Sequence, residues 1–136
     1  MTRHRVFADA SWWIALTDRA DARRREALAL ASQLVEPLIV TSEMVLVELM
    51  NHFASRGDHW RQLVVAQIAD IRQACQVIPQ SGRLFDEALT LYAGRLDKGW
   101  SATDCASFAI MTRYGITEAL THDHHFEQAG FRALLR

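Results

Sequence analysis

The sequence predicts an α/β fold in which a short central parallel sheet carries helices on both faces. Two observations point there. Brief apolar runs alternate with one or two helical segments, the pattern of strand–helix–strand crossovers. Two of those runs finish at or near an aspartate, Asp9 and Asp123, and in open parallel sheets ligands bind beyond the carboxyl ends of the strands. With 136 residues, half of them hydrophobic and 23% charged, the chain is expected to fold as one domain, residues 1–136, around a single core. There is no internal repeat and no low-complexity linker.

Taken in order, residues 5–8 read as a buried strand, and Ser11 to Leu16 as a short helix directly after it. Asp9 sits at the joint, where an aspartate suits a helix cap and a ligand site equally. Trp12 and Trp13 suit the core or a contact with a second copy better than stacking on nucleic acid. Asp18 to Glu36 is a helical segment whose apolar side is Ala27, Leu28, Leu30, Ala31 and Leu34. Its Arg23-Arg24-Arg25 run reads as a solvated face. Pro37 ends it, and Leu38-Ile39-Val40 is a strand.

A helix follows from Ser42 to Ala54, with Glu48 one turn from Met44 and bordering the apolar side. Alone, Glu48 would be read as a surface residue. Gly57-Asp58 opens the next helix, whose apolar side is Trp60, Leu63, Val64, Ile68 and Ile71. Residues 75–78 form a third strand closed by Pro79. Ser81 to Arg95 is helical, with Leu84, Phe85, Ala88, Leu89 and Tyr92 in register, and residues 94–99 are a solvated loop.

The stretch from Trp100 to Phe131 is one unit. Ser101 and Thr103 are good N-caps for a helix that buries Ala106, Phe108, Ala109 and Met111 and stops at Gly115. Residues 118–121 are a strand, followed by an acidic turn at Asp123. Residues 130–135 are an edge strand.

This layout sets four carboxylates, Asp9, Glu48, Asp104 and Asp123, at element ends or against an apolar face, with no basic residue beside any of them. Ionised acids in such settings are costly unless a positive charge meets them. Hard divalent cations take oxygen ligands, and Mg²⁺ typically uses carboxylates together with water and phosphate oxygens. A cluster of these four residues is therefore suited to one or two Mg²⁺ or Mn²⁺ ions, with phosphodiester hydrolysis as the matching chemistry. Ser11, Thr103 and Thr121 are placed to support the ligand carboxylates by hydrogen bonds. Competing chemistries lack parts, since the chain has no GxxxxGK[ST], no GxGxxG and no GxSxG. An acidic-pocket phosphoacceptor domain would need a lysine at a later strand end, and Thr121-His122-Asp123 offers none. His122, His124 and His125 flank Asp123, but side chains following a strand end should diverge and no cysteine accompanies them. They read as a polar rim rather than a zinc site.

The formal net charge of -1 gives no global positive field, so binding to nucleic acid must be local. Cys75 and Cys105 are far apart, with no CxxC, and are expected to be reduced, which suits the cytoplasm. No apolar run approaches the ~18 residues of a membrane span. Arg3 and Arg5 precede an apolar stretch that Asp9 breaks, which argues against a signal peptide.

Asp9 with Ser11, Glu48 in a capped helix, SATDCASFAIM around Asp104 and LTHDHHFEQAGF around Asp123 together resemble the PIN-domain family. Within it they most resemble the small VapC-type toxins of bacterial toxin–antitoxin pairs. The resemblance spans essentially the whole chain, and its C-terminal stretch is the most specific part. It implies a PIN-like three-layer α/β/α fold and a Mg²⁺- or Mn²⁺-dependent endoribonuclease. It further implies Asp9, Glu48, Asp104 and Asp123 as catalytic metal ligands, a cognate antitoxin and a homodimer. A nuclease of the same fold that processes RNA or DNA without an antitoxin, and a catalytically inert binding module, stay open at this point.

Overall fold

The computed structural model describes residues 4–136; Arg3, used above against a signal peptide, lies outside them. The sheet has the order β3-β2-β1-β4-β5, and every neighbouring pair is parallel. Its strands are β1 (Arg5–Ala8), β2 (Leu38–Ser42), β3 (Gln76–Ile78), β4 (Glu118–Leu120) and β5 (Arg132–Ala133). From β1 the chain moves outward to β2 and β3, then crosses back to lay β4 and β5 on the other side. The reversal falls between β1 and β4, where the Asp9 N–H donates to the Leu120 carbonyl at 3.2 Å. Topological reversals of this kind are where open α/β sheets bind ligands, because the crossovers diverge there and leave a crevice.

The helices complete a three-layer α/β/α arrangement. They are α1 (Ala10–Thr17), α2 (Arg24–Gln33), α3 (Glu43–Phe53), α4 (Asp58–Ala74), α5 (Gly82–Gly94), α6 (Ala102–Tyr114) and α7 (His124–Gln128). Helix α1 packs on α2 and on α3, α3 packs on α4, α5 packs on α6, and α3 also touches α6. Val6, Phe7, Trp12, Val40, Leu49, Phe53, Ile110, Met111, Leu120 and Phe126 fill the core. Each large apolar side chain buried there contributes roughly 1.5–3 kcal/mol.

The structure corrects several boundaries. The helix expected from Asp18 begins only at Arg24. Asp18 and Asp21 instead fold residues 18–23 into turns, their carboxylates accepting the Ala20 and Arg23 N–H groups at 3.0 and 2.8 Å. Aspartate competes for backbone donors in this way and delays helix formation. Of that helix's expected apolar side only Ala27 is buried. The helix at 81–95 divides its apolar residues: Leu84 and Ala88 face the core, whereas Phe85, Leu89 and Tyr92 are about half exposed. The acidic turn after β4 is a helix, α7, with Asp123 as its N-cap. The expected edge strand is confined to two residues, which extend the sheet as β5. Both cysteines are free.

Candidate active site

Asp9 leaves the end of β1 and occupies the N-cap position of α1, yet its side chain makes no capping hydrogen bond there. Its carboxylate turns to β4 instead. The Thr121 hydroxyl donates to Asp9 Oδ2 at 3.0 Å, and the Ser11 hydroxyl approaches the same oxygen at 3.4 Å. Ser11 and Thr121 also meet each other at 3.1 Å. Thr121 in turn accepts the Asp123 N–H at 3.0 Å, tying the end of β1 to the entry into α7.

Asp104 is fixed by its own helix. Ser101 caps α6, accepting the Asp104 N–H, while Asp104 Oδ2 accepts the Ser101 N–H, both at 3.0 Å. This reciprocal capping box satisfies two backbone donors that a helix start leaves open. Because Asp104 to Phe108, Ile110 and Met111 are all buried, α6 has no freedom to roll. Asp104 is thereby held at 7% exposure with its carboxylate at the head of the helix.

Glu48 comes from α3, whose start is fixed by Ser42 accepting the Val45 N–H. The Thr103 side chain hydrogen-bonds to Glu48, bridging α3 and α6. Asp123 caps α7 by accepting the His125 N–H on Oδ1 at 2.9 Å. The fold thus brings all four predicted acids to one place with Ser11, Thr103 and Thr121 between them, although the acids span 115 residues of sequence.

Electrostatics register the crowding. Burial pushes the Asp9 carboxyl up to about 6, and the charges of Asp104 and Asp123 raise it further; the Ala10 N–H and the Thr121 hydroxyl only partly oppose this. Desolvation and then repulsion from Asp9 and Asp104 push Glu48 up to about 7, against the Thr103 hydrogen bond. As a residue Glu48 is exposed. The like-charge neighbours, fixed by the fold, are therefore the firmer of its two causes. No lysine or arginine forms an ion pair with any of the four acids among the described residues.

One basic side chain does reach them: His125, which the sequence placed in a polar rim without assigning it a contact. His125 Nδ1 lies 3.0 Å from Asp104 Oδ2 and 3.4 Å from Asp123 Oδ1. The expectation that side chains diverge after the strand fails because α7 begins at once and folds His125 back toward α6. Ligand atoms of Asp123, His124 and His125 come within 4.8 Å of one another. Asp123 before a short polar run, with Gly130 beyond it, was the available signal that a helix starts there.

In Asp9 and Asp104 the donors named above converge on Oδ2, and in Asp123 the His125 N–H reaches Oδ1. The arrangement orients each acid and leaves the second oxygen for a ligand. Oxygen-only, multiply anionic and short of compensating charge, this donor set fits a hard divalent cation.

Comparison with known proteins agrees. The chain is 32% identical over 127 residues to the 23S rRNA-specific endonuclease VapC20 of Mycobacterium tuberculosis, covering 93% of this chain and 95% of the relative. The crystal structure of VapC20, described as a Sarcin-Ricin loop cleaving toxin, superposes with a TM-score of 0.83 at 30% identity, over 93% of this chain and 95% of that one. FitAcB from Neisseria gonorrhoeae shares the fold at a TM-score of 0.66 and 14% identity, covering 94% of both chains. A model of the PIN domain matches residues 6–132, nearly the whole chain and all four acids. The crevice at the β1–β4 reversal and the acids gathered in it therefore sit on a known scaffold: the chain belongs to the PIN domain family.

Proposed function

We propose that this single-domain chain is a Mg²⁺-dependent endoribonuclease, able to use Mn²⁺, and the cytoplasmic toxin of a toxin–antitoxin pair. One observation carries the reading: four carboxylates converge with no lysine or arginine paired to them among the described residues, in a protein that is 32% identical to a ribosomal RNA endonuclease.

Asp9 and Asp104 would hold the cation, with Glu48 and Asp123 completing the anionic wall. A cation bound there supplies activation of water and stabilisation of the leaving oxygen of a phosphodiester. Ser11 and Thr121 fix the Asp9 carboxylate, and Thr103 fixes Glu48, so these ligands need little reorganisation when the cation arrives. Because Asp9 is pushed up to about 6 and Glu48 up to about 7 in the metal-free protein, a cation would bind more tightly as pH rises through this range.

The substrate is RNA, and the 23S rRNA segment cut by the relative is the first target to test. The antitoxin silences the site by placing an arginine among the acids, since its planar fork pairs with carboxylates in bidentate fashion. A second copy of the chain covers the half-exposed Val47, Phe85, Leu89 and Tyr92 of α3 and α5, an apolar surface a monomer would leave in water. Among the described residues no helix is long and apolar enough to cross a membrane.

The test is cleavage of a ribosomal RNA fragment by purified protein with Mg²⁺, against EDTA and against Asp104→Asn. Metal-dependent cutting that Asp104→Asn abolishes is expected. Activity that survives EDTA, or that tolerates Asp104→Asn, moves the chemistry elsewhere.

A further inference from the structure

We propose that His125 is a positioning residue for the metal site: its Nδ1–H holds the Asp104 carboxylate while its backbone N–H holds that of Asp123, and together they keep both ready for the cation. The inference rests on the metal-dependent reading above but adds a residue and a role to it.

The geometry is specific. His125 Nδ1 lies 3.0 Å from Asp104 Oδ2 and 3.4 Å from Asp123 Oδ1, and the backbone N–H of His125 donates to the same Asp123 oxygen at 2.9 Å. Carboxylate oxygens only accept, so Nδ1 must be the donor. The neutral Nδ1–H tautomer provides that donor as well as the imidazolium does, so the clip does not depend on the charge of the ring. Asp104 Oδ2 then carries two donors, Ser101 N–H and His125 Nδ1–H, and its Oδ1 is the oxygen presented to a ligand.

The clip also has a structural consequence. Asp104 belongs to α6, whereas Asp123 starts α7, a helix of only five residues. Phe126 anchors α7 in the core by packing edge-on against Phe108 of α6, with ring centroids 5.0 Å apart. That contact sets where α7 lies, but His125 is the link that fixes one carboxylate relative to the other. The two acids repel in the metal-free protein, and two donors of one residue, the ring Nδ1–H on Asp104 and the backbone N–H on Asp123, offset part of that repulsion. His124, by contrast, is exposed, and its ring nitrogen is 3.7 Å from Asp123.

Substitutions separate donation from mere bulk. Asparagine places an N–H close to where Nδ1 lies; glutamine reaches to the Nε2 position instead, and alanine offers neither. Mn²⁺ affinity, measured by electron paramagnetic resonance on metal-free protein, should fall about ten- to a hundredfold in His125→Ala, as when an outer-shell partner of a metal ligand is lost. His125→Asn should recover most of the loss and His125→Gln little, with circular dichroism unchanged. Nitrogen-15 NMR of the wild-type metal-free protein should show a proton on His125 Nδ1, a readout that needs no variant to fold. Spin-echo spectra of the Mn²⁺ complex should show no directly bound histidine nitrogen.

A proton found only on Nε2, unchanged Mn²⁺ affinity in His125→Ala, or asparagine no better than glutamine overturns the inference alone. A histidine nitrogen bound to Mn²⁺ also overturns it, by making His125 a ligand. Wild-type protein that binds no Mn²⁺ overturns both this inference and the reading it rests on.

Discussion

Helix α1 has an aspartate at each end, and the two could hardly differ more. Asp9 precedes the helix at 7% exposure and Asp18 follows it at 8%. The helix dipole favours an anion at the first position and opposes one at the second. The protein does the reverse: the Asp9 carboxyl is pushed up to about 6, whereas Asp18 is held below its ordinary value. Neighbours decide this. Asp18 receives the Arg56 guanidinium at 2.9 Å and the Ala20 N–H at 3.0 Å. Asp9 receives two hydroxyls and the fields of Asp104 and Asp123, with no ion pair to a lysine or arginine among the described residues. A dipole effect of about 0.3–1 kcal/mol is too small to override either set of partners. One end of the helix is a finished ion pair; the other gathers negative charge that no ion pair among the described residues balances.

The comparison breaks most visibly in catalysis. Asp9→Asn and Asp104→Asn should each cut RNA cleavage on the order of a hundredfold or more, because a metal ligand supports several kcal/mol of transition-state stabilisation and each ~1.4 kcal/mol is a factor of ten. Asp18→Asn should leave cleavage within about twofold. Rates from purified variants on one RNA, with folding checked by circular dichroism, decide it. If Asp18→Asn proves as damaging as Asp9→Asn, the two ends are not functionally distinct.

Stability should move the other way. The raised Asp9 carboxyl means that ionising it costs the native state on the order of 3 kcal/mol at neutral pH. Asp9→Asn should therefore stabilise the metal-free protein by up to about that amount. Millimolar Mn²⁺ should raise the wild-type melting temperature, and this gain should shrink in the variant. If Mn²⁺ leaves unfolding untouched and Asp9→Asn is destabilising, Asp9 is a structural residue.

The contrast between the ends was only half legible in the sequence. Asp9 stood out because a strand, an aspartate and a helix followed one another. Its lack of a capping bond could not be read, because that depends on Thr121, 112 residues away. Asp104 was legible through the strong capping signal at Ser101. Asp18 was invisible as a partner of Arg56, which joins it across three further elements, α2, β2 and α3. The strands from residue 5 to 78 were readable because buried strands are continuous apolar runs. Two features misled: Asp18 and Asp21 hid a turn inside an apparently helical stretch, and α7 was too short for any periodicity. Missing α7 meant missing the contact His125 makes, since only a helix starting at Asp123 aims that ring at Asp104.

A pH series sharpens the comparison further. In the native state Asp9 keeps its proton up to about 6 and Glu48 up to about 7, whereas in the unfolded chain these groups release near 3.8 and 4.5. The native state thus binds more protons across this range, and the stability of the metal-free protein should fall as pH rises from about 4 to 7. Saturating Mn²⁺ should reduce or reverse the slope, because the cation favours the ionised acids. Urea unfolding at pH 5 and pH 8, with EDTA and with Mn²⁺, measures both slopes. Metal-free stability that rises between those values would show that the acids do not crowd one another.

The smallest effect lies at the finished end. Asp18 has a depressed carboxyl, so its contribution is present above about 3.8 and is lost as pH falls through the lower native value, the opposite sign to Asp9. The Arg56 side chain is 38% exposed, and pairs open to water in this way are worth little. Asp18→Asn should therefore cost only about 1 kcal/mol at pH 7, since asparagine keeps an acceptor for the Ala20 N–H and loses only the charge. Arg56 retains the Phe53 ring, 4.8 Å from its guanidinium, and so is not stranded by the change. The cost should shrink in high salt, fall away as pH drops through the lowered native value and be the same with or without Mn²⁺. A cost that depends on Mn²⁺ would mean the two ends of α1 communicate, and Asp18 would then belong to the metal site rather than serve as its counterexample.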